Sequence, residues 1–400
     1  MKILQINVVY GIGSTGKIVK DIHESLLNNG VNSFVLYGRG KKTNNIGVSK
    51  ISNEFYSHLN KLYSKLSGLA YGGCYFSTKK ITRFIKKWKP NIVHLHCLNG
   101  HFVNIYKLIS WLKKHHIKTV LTLHAEFMFT ANCGYAYDCE KWKVGCGKCP
   151  RYRKETSSIL FDRTHCSWKR MKKAFDNFDE LLIVSVSPWL MNRAKMSPFL
   201  FDRTHKVILN GLDNSIFYPR KTDEIREHLI SNSNNIALYV SSTINLSPNH
   251  IKGAYYIFEL AKKMPFITFF IVGPSNNFFE KPDNIILLGN ITDQNILAEL
   301  YSIADITLLT SKKETFSMII AESLCCGTPV VAFEAGGPES VFVCEWVKFV
   351  KYGNLDEMCM NINDVLKHGF SRKQISEYAQ NSFSKSRFVD DYYKLYKSLC

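Results

Sequence analysis

The sequence predicts an α/β protein made of two doubly wound parallel sheets in tandem, and three observations lead there. Short apolar runs alternate with amphipathic stretches through both halves of the chain, the pattern of strands joined by covering helices. The 400 residues exceed the roughly 100–200 of one ordinary domain. The charge is also divided. Residues 1–206 hold 34 Lys+Arg against 12 Asp+Glu, a net of +22, whereas residues 207–400 hold 18 against 21, a net of −3. Two chemically different domains explain that split better than one uniformly basic body.

In the first half, Lys2–Val9 reads as a strand, Gly16–Asn29 as a helix, and Ser33–Tyr37 as a strand. Ile92–His96 (after a basic helix), Thr119–His124 and Leu181–Ser185 follow as strands. In the second half the strands are Ile236–Val240, Ile267–Val272, Ile285–Leu288, Ile306–Leu309 and Pro329–Phe333, with helices from about Lys252, Gln294, Phe316 and Pro338. The join falls near Asn210-Gly211-Leu212-Asp213, a turn followed by Pro219 where the charge changes. This gives a first domain over 1–206, a second over 207–380, and a C-terminal helix over 381–400 expected to return to the first. Two such domains are expected to face each other across a cleft, with ligands at the carboxyl ends of the strands.

Composition narrows the function. With 46% hydrophobic residues and a formal charge of +19, the chain can bury a real core and should meet an anionic partner. No run approaches the ~20 apolar residues of a membrane-spanning helix. Met1–Tyr10 reads as a first strand and not a signal peptide, so a cytoplasmic protein is expected. Its 12 cysteines are then thiols or metal ligands more than disulfides.

Gly11-Ile12-Gly13-Ser14-Thr15-Gly16 follows the first strand and opens a helix, a loop whose backbone N–H groups suit a phosphate. The second strand leads into Tyr37-Gly38-Arg39-Gly40 without the acid a dinucleotide ribose requires. Residues 304–341 are the most informative. Glu314 lies at a turn and Glu322 two helical turns on, followed by Gly327-Thr328-Pro329-Val330-Val331 and Gly336-Gly337. Carboxylates so placed can accept hydrogen bonds from a sugar and a ribose.

Here the sequence resembles the retaining, nucleotide-sugar-dependent glycosyltransferases of group 1 (family 4), which have the two-domain GT-B fold. The matching stretches are Gly13–Gly16, the strand ending in His124, Asn210–Asp213 with Phe217 and Pro219, and Lys252-Gly253. They continue with Glu314 to Glu322, Cys326–Val331, and Gly336-Gly337-Pro338-Glu339. The resemblance implies that Glu314 holds donor sugar hydroxyls and Glu322 the nucleotide ribose. It places the backbone of Phe316 and Ser317 near the donor, and Lys252 against the departing diphosphate. His124 would face the reaction centre as a catalytic residue with Glu314, while Gly13, Gly16 and Glu339 would join the donor-binding set. Pro338 and Glu339 also suit a helix start. The chain departs from the family where Ser241–Asn245 replaces a frequent arginine, and where Ala125 rather than an acid follows His124.

The resemblance implies a hexosyltransferase that moves a sugar from a UDP- or GDP-sugar to a polyprenyl-diphosphate-linked saccharide in O-antigen, capsule or exopolysaccharide assembly. It would sit peripherally on the inner face of the cell membrane. No cofactor is required for such catalysis, and the chain has no Asp-x-Asp pair of the kind that holds a metal-bound nucleotide sugar. Cys133, Cys139, Cys146 and Cys149, spaced C-x5-C-x6-C-x2-C, fit a structural zinc near the acceptor side, with free thiols or disulfides as the plainer reading. Cys325 and Cys326 read as core.

Lys79–Lys89 is a basic amphipathic segment whose Ile81, Phe84, Ile85 and Trp88 share one face. Such a stripe usually faces the core, but with Arg151, Arg153, Lys154, Lys169, Arg170, Lys172 and Lys173 it supports contact with an anionic membrane surface or a polyprenyl diphosphate acceptor. Two other classes fit single features. An NAD(P)-dependent nucleotide-sugar epimerase or dehydrogenase would use the glycine loop, but the missing ribose acid counts against it. A nucleic-acid-binding protein would use the charge, yet no recognised module is present and no nucleic acid is expected.

Overall fold

A computed structural model describes residues 1–221, 235–274 and 280–400. The chain divides into two compact units, one formed by Met1–Ile208 with Val389–Cys400 and the other by Leu209–Phe388. The division lies two residues beyond the 206/207 join read from the sequence, and the returning segment begins at Val389 rather than at 381.

The first unit carries β1 (Lys2–Asn7), α1 (Gly13–Asn28), β2 (Asn32–Tyr37), β3 (Val48–Lys50), α2 (Glu54–Ser67), α3 (Tyr75–Trp88) and β4 (Ile92–Leu95). Then come α4 (Ile105–Lys114), β5 (Thr119–Leu123), β6 (Leu181–Ser185) and β7 (Thr204–Val207), with further helices between β5 and β7. Its seven strands are parallel in the order β3-β2-β1-β4-β5-β6-β7. Every residue of β4, β5 and β6 is buried, as expected where helices cover both faces. The unpredicted β3 and β7 are short edge strands, half exposed and polar in sequence, so no apolar run announced them.

The second unit has β8 (Asn235–Val240), β9 (Ile267–Val272), β10 (Ile285–Gly289), β11 (Ile306–Leu309), β12 (Val330–Phe333) and β13 (Val347–Val350). They form a six-stranded parallel sheet ordered β10-β9-β8-β11-β12-β13. Phe269, Ile271, Leu308, Val331 and Phe333 lie in its core with Ile257 and Ile362 from the covering helices. Each such side chain contributes of order 2 kcal/mol by leaving water. One expected helix is corrected: from Pro338 the chain makes only the single 3-10 turn Pro338–Ser340. Phe342 is drawn into an aromatic cluster with Phe316 and Phe383, and the following Val343 and Cys344 lead toward β13 instead of continuing the helix.

Strand order reverses between β1 and β4 in the first sheet and between β8 and β11 in the second. The loops after those strands diverge and leave a crevice in each unit, where open α/β sheets bind ligands.

Candidate active site

Lys252 follows β8 and Glu314 follows β11, so the two neighbouring strands deliver both side chains to the crevice of the second unit. The Lys252 ammonium donates to Glu314 Oε1 at 2.7 Å, and both side chains are mostly covered. Their backbones are tied together. Lys312 N–H donates to Ile251 O at 2.8 Å, Tyr239 OH donates to Lys252 O at 2.7 Å, and Thr310 Oγ1 donates to Gly253 O at 2.9 Å.

Gly253 has φ +70°, and a Cβ there would stand 2.1 Å from the Thr310 carbonyl oxygen. Gly253→Ala is therefore expected to cost more than about 2 kcal/mol, from left-handed strain plus a backbone collision. A thermal midpoint several degrees below wild type would show it, and an unchanged midpoint would refute it.

On the other side, Glu314 N–H donates to Ala335 O at 3.1 Å and Gly337 N–H to Glu314 O at 3.0 Å. Gly337 is needed for that approach, since a Cβ would meet Thr315 O at 2.1 Å. Glu339 accepts from Gly336 N–H through both carboxylate oxygens, at 2.8 and 2.9 Å. In this structure its carboxylate shapes the glycine loop beside Glu314.

Ser317 takes φ +75°, rare for a residue with a side chain, and caps the helix Met318–Cys325 by accepting from Ile320 N–H. Strain of this kind gathers at functional sites. The Phe316 side chain is core, so only its backbone can serve a ligand. Glu322 lies on the same helix, where the fully buried Tyr301 donates its hydroxyl to Oε2 at 3.0 Å. Six of the residues named from the sequence, Lys252, Glu314, Phe316, Ser317, Glu322 and Glu339, thus belong to the second unit. Gly13, Gly16 and His124 belong to the first.

In the first unit Gly13 opens α1 at the surface and Gly16 is buried one turn in. His124 immediately follows β5 and is partly exposed. The sequence reading missed its neighbours. His96 Nδ1 lies 3.3 Å from His124 Nε2, His96 Nε2 lies 3.2 Å from Gln5 Oε1, and the His94 and His96 rings are 3.8 Å apart. His94 bonds Tyr396 OH and Thr122 Oγ1, and Thr122 Oγ1 bonds Tyr392 OH.

Gln5 Nε2 donates to Val19 O, so its Oε1 faces His96. That orientation makes His96 Nε2 a donor and its Nδ1 an acceptor, and so places the proton of His124 on Nε2. Burial holds all three imidazoles below their ordinary pKa, His124 at about 4. They are neutral at pH 7. The signal was the alternation of His94 in β4 and His96 just after it, which puts both rings on one side of the chain.

Glu126 is buried and accepts from Ala136 N–H and from the Arg193 guanidinium. It therefore anchors the loop after β5. Arg39, just after β2, is paired with Glu54 at 2.6 Å. Beside this pair an open cavity of about 550 Å3 is lined by Val8, Val9, Ile12, Arg39, Lys41 and Asn99, among others. It lies at the carboxyl ends of β1, β2 and β4.

The cysteine loop folds around the buried Trp142, whose carbonyl accepts from Trp168 Nε1–H at 2.8 Å. Cys133 is buried and Cys139, Cys146 and Cys149 half-buried. Among the described residues, no three His, Cys, Asp or Glu side chains are gathered to hold one metal ion. Cys325 and Cys326 are core.

The switch-point crevice of the second unit thus gathers a lysine–carboxylate pair, a second carboxylate on the next helix and a strained helix start. Known proteins similar to this chain point to one class, the nucleotide-sugar glycosyltransferases. Residues 220–382 match the family model described as glycosyl transferases group 1. WcaC of Escherichia coli K12, by name a colanic acid biosynthesis glycosyl transferase, is 21% identical over 417 residues, covering all of both chains.

Among solved structures, sucrose-phosphate synthase from Thermosynechococcus elongatus superposes with a TM-score of 0.68 at 16% identity, over 100% of this chain and 98% of that one. HepE from Anabaena, in complex with UDP-glucose, gives a TM-score of 0.66 at 17% identity over the whole of both chains. The chain has the α/β architecture of the GT-B fold, and the comparisons support a nucleotide-sugar glycosyltransferase whose second unit matches the group-1 model.

Proposed function

We propose that the protein transfers a sugar, with retention of anomeric configuration, from a UDP- or GDP-sugar to a polyprenyl-diphosphate-linked saccharide during surface polysaccharide assembly. The acting pool would be peripheral on the cytoplasmic face of the membrane, in an O-antigen, capsule or exopolysaccharide route. The observation that carries the reading is the Lys252–Glu314 pair at 2.7 Å in the switch-point crevice. Glu314 accepts hydrogen bonds from donor sugar hydroxyls, Glu322 from the ribose, and Lys252 neutralises the leaving diphosphate as charge develops on it. The amides at Phe316 and Ser317 add a helix-terminal field of the right sign. Gly13, Gly16 and Glu339 are assigned to donor binding and His124, a neutral imidazole, to catalysis.

The acceptor falls to the first unit, where the cavity beside Arg39 and Lys41 combines cations with the apolar wall of Val8, Val9 and Ile12. The full-length likeness to WcaC supports the polysaccharide setting, and the HepE complex supports a UDP-sugar among the donors to be tried.

The test is a panel of UDP-, GDP- and ADP-sugars followed by thermal unfolding. The true donor at a hundredfold excess over its Kd should stabilise the protein by about 2.7 kcal/mol, seen as a clear upward shift of the midpoint. A protein that ignores every nucleotide sugar but is stabilised by NAD(P) would overturn the assignment.

A further inference from the structure

α2 is turned the wrong way round for a soluble surface. Its two buried residues are Ser57 and Ser64, while Phe55, Leu59, Leu62 and Leu66, at i, i+4, i+7 and i+11, form an apolar stripe that faces outward. Phe55 is 73% exposed. The rotation of the helix is fixed by polar contacts on its inner side. Ser57 Oγ bonds Ser52 Oγ at 3.1 Å, Ser64 Oγ lies 3.4 Å from His101 Nδ1, and Asn60 Oδ1 accepts from Cys74 N–H at 2.6 Å.

The exposed apolar surface extends at both ends. Phe76, 68% exposed, packs near Tyr56 with ring centroids 6.3 Å apart. At the other end Ile159 N–H donates to Lys65 O, and Leu160 and Phe161 beside it are exposed. A patch this continuous marks a docking surface. Beyond its first turn, where Tyr75 and Phe76 are exposed, α3 by contrast buries Ile81 and Ile85 and tucks Phe84 and Trp88 against Phe34, leaving lysines and Arg83 outside. Its amphipathic stripe is core, and the surface with apolar side chains to offer is its neighbour α2.

We propose that the outward face of α2, with Tyr75, Phe76 and the Ile159–Phe161 segment, seats the protein on an anionic lipid bilayer. Charge selects this occupant. No Asp or Glu occurs from Phe55 to Ala125, whereas Lys61, Lys65, Lys79, Lys80 and Arg83 lie on or beside the patch. The cations are interleaved with its rings: Lys79 and Lys107 stand 5.9 and 5.2 Å from the Tyr75 centroid, and the Arg163 guanidinium 5.4 Å from that of Phe161. The adjacent Asp162 is engaged by Cys149 N–H and by Thr164. Leu and Phe in the acyl boundary with Lys and Arg at headgroup level is the arrangement of an interfacial helix. A second copy of this chain would set one net-cationic face against another, which like-charge repulsion opposes.

Glu54, the first residue of α2, also lines the 550 Å3 cavity, so the docked face adjoins the mouth through which a lipid-borne acceptor would arrive. In that respect the proposal deepens the acceptor reading and rests on it for its purpose.

The experiment is co-sedimentation of the full chain with vesicles of phosphatidylcholine alone or with phosphatidylglycerol, without nucleotide sugar, so it can fail independently of donor binding. Wild type should sediment with the anionic vesicles. The combined Leu59→Ser, Leu62→Ser and Leu66→Ser variant should bind about tenfold or more weakly, because surface rather than core is removed, with its thermal midpoint unchanged. Lys61→Glu with Lys65→Glu should abolish the preference for anionic vesicles. The idea is overturned if the leucine variant binds like wild type. It is equally overturned if wild type ignores vesicles and is a dimer that the leucine variant dissociates.

Discussion

Replacing Glu314 by Ala is expected to lower kcat/KM for sugar transfer about a thousandfold, the order lost when one preorganised polar contact to a transition state is removed. Two losses combine. The donor sugar loses a carboxylate acceptor, and Lys252, whose Nζ lies 2.7 Å from Glu314 Oε1, loses the partner that aims it. Glu314→Gln keeps the hydrogen-bonding shape without the charge and should fall between. Lys252→Ala should fail as severely. Because the pair acts as one device, the double variant should lose far less than the two single losses combined. The readouts are initial rates at saturating and subsaturating donor, with thermal midpoints to confirm folding. Full activity in a folded Glu314→Ala protein would remove the donor assignment, and strictly multiplicative losses would show that the two groups work separately.

The strands over 181–185, 267–272 and 306–309 were read to the residue because they are apolar runs buried on both faces. Lys252 and Glu314 were each named through a resemblance, 62 positions apart. Their contact arises only because β8 and β11 are parallel neighbours in the sheet, and a linear pattern does not carry that adjacency. The α2 stripe was invisible for a different reason. Four apolar residues at helical spacing are the ordinary mark of a core face, and nothing local says that Ser57 and Ser64 take the inside. The cysteine quartet had a metal-like spacing, but spacing along a loop does not by itself say how the sulfurs are arranged. The loop packs around the buried Trp142, which no spacing rule announced.

The first unit should lose stability steeply as the pH falls below about 6.5, and the cause is the imidazole cluster behind His124. His94 and His96 are fully buried, and burial, reinforced by the mutual repulsion of their charged forms, depresses their pKa well below the ordinary value. His124 is depressed to about 4 by burial. The groups around them are neutral: Gln5, Thr122, Tyr392 and Tyr396. In the unfolded chain each imidazole takes up a proton near pH 6.5, whereas in the native state none does until near pH 4 or below. Between those limits the unfolded state binds more protons, so stability is complete above pH 6.5 and is lost on acidification. Three such groups give a slope of up to roughly 4 kcal/mol per pH unit. Urea unfolding from pH 7.5 down to pH 5 would measure it. His96→Gln should lose stability at pH 7.5, because partners of Gln5 and His124 are removed, yet show a shallower slope, because one uncharged imidazole no longer has to stay so. An unchanged slope in that variant would mean that the acid sensitivity lies elsewhere. If the slope does flatten, the same neutrality holds for His124, an uncharged imidazole oriented by His96 and Gln5, in the catalytic role proposed for it. Activity in a folded protein should then hold level from pH 7.5 down to the onset of unfolding, without a titration step near 6.5.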